Sequence, residues 1–167
     1  TNAGTPVAII KDGGADLHKG VELFCQRHPH HPIHPIDDVG HYAANALKAR
    51  FAQAPAFKRF CEIISKGAAR IRQTNLAWLL PPKIRAQARF QSITELAEWA
   101  HKTLALLGGR GQAKKGSDVD KVRTAFAGLA QLRSFLAHFC RVCSATERLL
   151  QLLKLKGLNQ TTYGEAK

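Results

Sequence analysis

The hydrophobic positions divide the chain into a short first part with two extended segments and a long remainder with helical spacing. Val7 to Ile10 is a run of four apolar residues followed by turn residues, a pattern typical of a short buried strand. A second strand is expected at His34-Pro35-Ile36, where the proline is compatible with a strand at the edge of a sheet. The pattern therefore predicts a small β element ahead of a mostly helical chain.

From residue 15 onward the apolar residues recur with a helical period. Ser92-Ile-Thr-Glu95 has the spacing of a capping box and predicts the start of one helix. Gly108 to Gly116 is rich in glycine and lysine, which predicts a flexible basic linker. The other helices are expected over Ala15–His28, over Asp38–Phe51, from Pro55 through Ile64, and, as the longest, from Ser117 or Asp118 to about Leu155.

These elements predict a mainly α fold with a small β element, in which two short strands accompany a helical bundle. Residues 1–43 are expected to form a strand–helix–strand unit, and residues 44–167 a basic, all-helical region with the linker at 108–116. A chain of 167 residues suffices for one domain, or one domain with an appendage, and excludes two full catalytic domains.

The strongly positive net charge indicates which class of partner the protein binds. The formal charge is +13 and the isoelectric point is about 10.1, which favours a polyanionic partner such as nucleic acid or an anionic membrane over a neutral ligand. A soluble protein that is merely basic is the alternative. Because the sequence has neither an apolar run of about 18 residues nor a charged-then-apolar leader, we expect a soluble intracellular protein with no membrane partner.

Cysteine and histidine spacing suggests a metal site only weakly. Cys25 to His34 contains Cys-x2-His and His-x2-His spacings, but two prolines and a helix end within this segment favour loop histidines that gain charge below about pH 6.5. Cys140-Arg-Val-Cys143 lies in a helical stretch without a second such pair, so a zinc knuckle is not expected. Packed or half-exposed free thiols are expected at Cys25, Cys61, Cys140 and Cys143.

Two aspartates follow the predicted strands. If the strands pair, Asp12 and Asp38 emerge at one edge of the sheet, where two carboxylates repel each other and are best held by a divalent cation. Oxygen ligands suit Mg²⁺ or Mn²⁺, the metals of two-metal phosphoryl transfer. The alternative for both residues is a helix cap or a turn, which aspartate also favours. His41, three residues after Asp38, would face the same side of the first helical turn.

Basic residues cluster in four segments, which predicts contacts to a phosphate backbone that depend on salt and not on base sequence. A solvated helix face is the ordinary role of such a cluster, but four in one chain with few acids nearby favour DNA binding. The expected DNA-binding residues are Lys48, Arg50, Arg70, Arg72, Lys83, Arg85, Arg89, Arg110, Lys114 and Lys115.

Four motifs together resemble the catalytic core of bacterial DDE-type transposases, which have an RNase H-like fold and carry a helical insertion. The motifs are KDGGADLHKG from Lys11, DVGH from Asp38, QTNLAWLLPP from Gln73 with RAQARF from Arg85, and KGLNQTTY from Lys156. By this resemblance Asp12 matches the second catalytic, metal-binding aspartate, Asp38 and His41 match a C/D-x-x-H element, and residues from about 44 onward match the insertion. The resemblance implies DNA transposition by two-metal phosphoryl transfer, with Mg²⁺ or Mn²⁺ as cofactor.

The sequence departs from the family pattern at two acids. The strand that would carry the first catalytic aspartate is missing, and no clear third acid is present, because Glu147 lies within a long amphipathic helix and Asn75 stands where related sequences have an acid. The chain therefore resembles a central piece of a transposase, which on its own should neither cut DNA nor hold the metal ions. The resemblance also implies a bacterial, nucleoid-associated location and possible homo-oligomers.

Two other classes of function remain open. One is a non-catalytic module that binds nucleic acid or assists assembly through its helices. The other is an unrelated helical interaction protein whose basic surface contacts RNA or the ribosome.

Overall fold

A computed structural model describes residues 6–83, 90, 92–109, 111 and 113–157. The fold is mainly α with one small parallel sheet, as the hydrophobic pattern predicts. The chain divides into two compact units, residues 1–46 and residues 47–167. The strands are β1 (Ala8–Lys11) and β2 (His34–Asp37), and the helices are α1 (Ala15–Arg27), α2 (Val39–Phe51), α3 (Pro55–Ile71), α4 (Ile93–Leu107), α5 (Asp118–Phe126) and α6 (Arg133–Lys156), with short 3₁₀ segments at Ala77–Leu79 and Ala127–Leu132.

In the first unit, β1 and β2 pair in parallel and α1 connects them. Ala8 lies opposite His34 and Lys11 lies opposite Asp37, so both strands end at the same edge of the sheet. The first strand begins one residue later than its apolar run, because Val7 contributes only its carbonyl group, which accepts a hydrogen bond from the amide of His34 at 2.9 Å. The two extended segments therefore pair, which is the condition under which the sequence places Asp12 and Asp38 at one edge of the sheet.

The first unit has little core. Val21 and Ala44 are the only buried residues among the described residues 6–46. Large apolar side chains lie in solvent on both strands, with Ile10 72% exposed and Ile36 45% exposed. Parallel sheets normally have both faces covered, and the exposure of Ile10 and Ile36 departs from that rule.

The second unit contains a continuous hydrophobic core in which α4 packs against α6 and α3 packs against α5. Phe139 occupies its centre, with ring centroids 5.1 Å from Phe51 and 5.8 Å from Phe57. The apolar positions of α3 recur every three or four residues and face this core. The largest fully buried side chains are Phe57, Phe60, Ile71, Ile93, Leu96, Phe126, Leu129, Leu136, Phe139 and Cys143.

The predicted single helix from residue 117 or 118 to about 155 is wrong. It is broken by the 3₁₀ segment Ala127–Leu132, which separates α5 from α6. Gly128 lies in this segment against Ile63, whose Cδ1 would be only 2.9 Å from an added Cβ. The break allows Phe126 and Leu129, both 0% exposed, to enter the core from adjacent turns. Periodicity alone could not show it, because apolar positions continue through the segment.

The serines at two expected helix starts, Ser92 and Ser117, differ in whether they cap the helix that follows. Ser117 precedes α5, and its hydroxyl oxygen accepts a hydrogen bond from the amide of Asp120 at 3.3 Å, as an N-cap should. Ser92 also precedes a helix, α4, at the predicted position, but its side chain accepts no capping hydrogen bond. The predicted start of α4 is therefore correct, whereas the capping box is not formed.

The longest described helix is α6, with 24 residues. Its apolar positions face the core, and its outer side carries arginines and lysines with Glu147 as the only acid in the helix. Across the described part of the chain, no helix combines the length and the apolar character needed to cross a bilayer.

Candidate functional site

The carboxyl ends of the two strands bring Asp12 and Asp38 to one edge of the sheet. Each aspartate directly follows its strand, and the amide of Asp38 donates a hydrogen bond to the carbonyl of Lys11 at 2.8 Å. This bond continues the parallel register by one step, so the two aspartates are neighbours across the strand ends. The carboxyl edge of parallel strands is where α/β folds place ligand sites.

The two aspartates make the same local turn. The Oδ1 atom of Asp12 accepts a hydrogen bond from the amide of Gly14 at 2.9 Å, and Oδ1 of Asp38 accepts one from Gly40 at 2.8 Å. Each carboxylate therefore fixes the entry to the following helix, which is the structural role that the residue type also favours. Among the described residues the second carboxylate oxygen of each accepts no hydrogen bond, so one oxygen of each remains available.

His41 lies beside the loop that carries Asp12. A Cβ added to Gly13 would stand 3.9 Å from Cδ2 of the His41 ring, so the imidazole is in van der Waals reach of this glycine. Asp38 immediately precedes α2 and His41 lies in the first turn of that helix, so the His41 ring lies near the loop that follows the first strand. The structure thus places Asp12, Asp38 and His41 at one edge, as the spacing of the motifs predicts.

The pair Lys11 and Asp37 lies next to this edge and was not anticipated. The ammonium of Lys11 donates a hydrogen bond to Oδ1 of Asp37, and the two residues are opposite each other in the strand register. The Lys11 side chain is 9% exposed, which strengthens the attraction relative to a fully solvated pair. Lys11 directly precedes Asp12, and Asp37 directly precedes Asp38. These opposite charges at equivalent positions are the sequence signal that could have identified the pair.

The ligand set for a metal ion is incomplete. Within residues 6–83 and the other described ranges, no group of three or more His, Cys, Asp or Glu side chains is arranged to hold a metal ion. Asp12 and Asp38 offer two available carboxylate oxygens, whereas a two-metal site needs ligands on several sides of ions held about 3.5–4 Å apart. These residues do not form a magnesium or manganese site by themselves.

The two units differ in net charge, and only the second is net positive. Residues 47–167 contain 22 lysines and arginines against seven aspartates and glutamates, a formal charge of +15. Residues 1–46 contain three lysines and arginines against five acids, a formal charge of −2. The helical body is therefore a polycation, and the unit with the strand ends is slightly acidic.

The described members of the predicted DNA-binding set lie on more than one element. Lys48 and Arg50 lie in the last turn of α2, and Arg70 lies in the last turn of α3. Cations there also offset the negative end of the helix dipole, so each has a local role besides any contact with phosphate. Arg72, Lys83, Lys114 and Lys115 are exposed, whereas Arg85, Arg89 and Arg110 lie outside the described residues.

The structure also shows a basic surface that the sequence reasoning missed. We define the α6 arginine face as Arg133, Arg141 and Arg148, which are exposed and spaced by eight and seven residues. At about 100° per residue these three side chains fall within an arc of roughly 80°, over a length of about 22 Å. Arg50 extends this face, because its guanidinium lies 3.5 Å from Nε2 of His138 on the same helix. The spacing of the three arginines by eight and seven residues is the sequence signal that could have identified this face.

In the described part of the chain, no disulfide joins any of the cysteines Cys25, Cys61, Cys140 and Cys143. Burial, and secondarily Cys140 nearby, raises the pKa of Cys143 to about 12. Burial also raises the pKa of Cys140, whose thiol donates a hydrogen bond to the carbonyl of Ala97 at 3.2 Å. The Cys140–Cys143 pair therefore belongs to the helix core and has no thiolate character at neutral pH.

His28, at the start of the histidine-rich segment, makes contacts within its own helix end. Nδ1 of His28 lies 2.9 Å from the carbonyl oxygen of Phe24, and the two rings are 4.4 Å apart between centroids. This arrangement holds His28 at the end of α1 and directs one ring nitrogen to the backbone.

Comparison of the chain with protein-family models, with curated proteins and with solved structures finds no match.

Proposed function

We propose that the chain is the DNA-binding central part of a DDE-type transposase. Its helical body, residues 47–157, contacts the phosphate backbone, and Asp12 supplies one carboxylate to a catalytic metal site that further acidic residues complete. The observation that carries the proposal is the parallel pairing of β1 and β2, which brings Asp12, Asp38 and His41 to one sheet edge. Mg²⁺ or Mn²⁺, when bound at such a site, activates the attacking oxygen and stabilises the leaving oxygen.

The openness of the first unit supports this proposal. A parallel pair with exposed Ile10 and Ile36 lacks the covering layers and neighbouring strands that stabilise parallel sheets. An RNase H-like core would supply those neighbours together with the remaining acids. The proposal thus accounts for both the exposed apolar side chains and the incomplete ligand set.

The partition of charge supports the DNA-binding part of the proposal. The α6 arginine face runs about 22 Å along one helix, a length that covers roughly six phosphates of one strand. Arg133, Arg141 and Arg148 are separated from one another by exposed small residues such as Ala137 and Ser144, so a backbone can approach the helix closely. Such contacts position a protein on nucleic acid without specifying sequence.

The first experiment measures the affinity for duplexes of unrelated sequence between about 50 and 200 mM salt, where each phosphate contact contributes about 0.9 to the logarithmic slope. Replacement of Arg133, Arg141 and Arg148 by glutamine should make the slope shallower by about 2.7. Lys19→Gln with Arg27→Gln is the matched control, because these cations belong to the acidic unit. A flat salt response of the wild-type chain would overturn DNA binding and favour a protein partner.

The second experiment addresses Asp12 in a transposase that contains this chain. Asp12→Asn retains an oxygen that can accept the Gly14 hydrogen bond, so the turn persists while the charged ligand is lost. We expect cleavage to be abolished and DNA affinity to change less than about twofold. Asp16→Asn, which removes an acid in the first turn of α1, is the control that should retain cleavage. Retained cleavage in Asp12→Asn would end the assignment.

A second candidate function is a non-catalytic nucleic-acid-binding or assembly module. The observation that favours it is the charge of +15 on residues 47–167 combined with an incomplete metal ligand set. In that case both Asp12 and Asp38 serve only the turns that they make with Gly14 and Gly40. DNA binding with a steep salt dependence, together with cleavage that does not depend on Asp12, would select this function.

A further inference from the structure

The two tryptophans have opposite environments. The indole of Trp99 packs edge-on against Phe126, with ring centroids 5.1 Å apart, and its Nε1 donates a hydrogen bond to the carbonyl of Leu79 at 3.0 Å. Trp78, the residue before Leu79, is 77% exposed. Large aromatic side chains gain much from burial, so an indole in solvent has that gain still available for contact with a ligand.

The backbone around Trp78 is anchored on both sides. We call Ala77–Leu79 the Trp78 turn. Leu76, just before it, is 3% exposed, and Leu79 packs against the core. The hydroxyl of Thr74 donates to the carbonyl of Ile71 at 2.8 Å and accepts from the amide of Leu76 at 3.2 Å. With Leu76 and Leu79 directed inward, the short turn presents the indole outward.

The chain around this turn is positively charged. Residues 70–83 contain Arg70, Arg72 and Lys83 and no acid, and all three cations are exposed. Two acids of α5 approach this segment. Asp118 accepts a hydrogen bond from the Asn75 side-chain amide at 3.2 Å and pairs with Lys121 at 3.4 Å, and Asp120 lines a cavity together with Arg70, whose guanidinium donates to the carbonyl of Thr124 at 3.5 Å. The exposed indole therefore lies in a segment suited to an anionic, aromatic ligand.

We propose that Trp78 stacks on an unpaired base of a single-stranded nucleic acid whose phosphates contact Arg70, Arg72 and Lys83. The proposal rests on the nucleic-acid binding proposed above and specifies one element of it. Every base has a π face, so such stacking tolerates any sequence, but it requires a base outside a duplex stack. The two arginines and the lysine of the same segment would hold the backbone while the ring binds the base.

The test uses the whole chain, an oligothymidylate and a duplex of equal length at the same salt concentration. Trp78→Ala should weaken binding of the single strand by about 5- to 150-fold and change duplex binding less than about twofold. Trp78→Phe should retain most of the single-strand affinity. Oligothymidylate should quench the emission of the exposed indole in the wild type, and this quenching should be absent in Trp78→Phe. Leu155→Ala, which shortens a side chain that is 86% exposed on α6, is the matched control.

The outcomes separate this inference from the function on which it rests. If the wild type binds both probes with a steep salt dependence but Trp78→Ala binds the single strand equally well, the stacking inference is wrong and DNA binding stands. If the wild type binds neither probe, the proposed function itself is wrong. If Trp78→Ala only abolishes self-association in sedimentation, the indole is a protein contact and the inference is overturned.

Discussion

Substitution of Gly67 by alanine tests how the second unit is packed. Gly67 lies within α3, where the α-helix meets the end of α5. A Cβ at this position would stand 2.3 and 2.4 Å from two ring carbons of Phe126 and 2.9 Å from the carbonyl oxygen of Ala125. Ordinary carbon contacts are about 3.5–4.0 Å, so the overlap with the ring exceeds about 1 Å.

Two opposing effects decide whether Gly67→Ala raises or lowers the free energy of unfolding. Alanine is favoured over glycine within a helix by about 1 kcal/mol. Overpacking a rigid core costs about 1–3 kcal/mol, and the upper end applies here because Phe126 is 0% exposed and one neighbour is backbone. We therefore expect Gly67→Ala to lower the free energy of unfolding by about 2 kcal/mol, and Tm by roughly 8 °C at about 4 °C per kcal/mol.

The assay is urea denaturation followed by the emission of Trp99, which contacts Phe126. Gly128→Ala is a control in the same core. Its Cβ would meet Cδ1 of Ile63 at 2.9 Å, the flexible end of a side chain, so a smaller loss is expected. Gly20→Ala meets nothing within 4 Å in α1 and should not destabilise the chain.

A double-mutant cycle identifies the clash itself. Phe126→Leu removes part of the ring that the new methyl group would overlap, so Gly67→Ala should cost less in that background, by about 1 kcal/mol or more. A neutral or stabilising Gly67→Ala, or a double variant with strictly additive losses, would refute the packing argument.

Three further outcomes are expected. Asp38→Ala should destabilise the first unit by about 1 kcal/mol in thermal unfolding, because it removes the N-cap of α2, whereas Asp38→Asn should be nearly neutral. Cys143 should resist iodoacetamide at neutral pH in the folded chain, and because its folded pKa of about 12 exceeds the ordinary 9.0, stability should fall as the pH rises from about 9 to 12. Arg123→Lys should accelerate proteolysis within residues 108–116, since the guanidinium donates to two carbonyl groups there, at 2.6 and 2.8 Å, and an ammonium cannot span both.

The sequence determined the type of most local elements and where most of them begin, to within about a residue or two. It did not determine every end, because α3 continues to Ile71, past the expected Ile64, and the expected helix from residue 117 is two helices. Four apolar residues before Asp12 identified β1, Pro55 marked the start of α3, and the pattern around His34 identified β2, because these signals depend on neighbours in the chain. The sequence also indicated that Asp12 and Asp38 would lie at one edge of the sheet if the two strands pair. A shared edge follows from parallel register alone.

Tertiary packing decided the rest. At the end of α5, just before the helix break, Phe126 packs against Gly67, 59 residues earlier in the chain, and no local period records that contact. Tertiary structure also decided which of the two tryptophans is packed. Trp99 contacts Phe126 and donates a hydrogen bond to Leu79, whereas Trp78 remains in solvent. Which arginines of α6 form one exposed face followed from the side that the core covers. Local sequence signals select the backbone conformation of a segment, whereas the burial of its side chains depends on which distant parts of the chain pack against it.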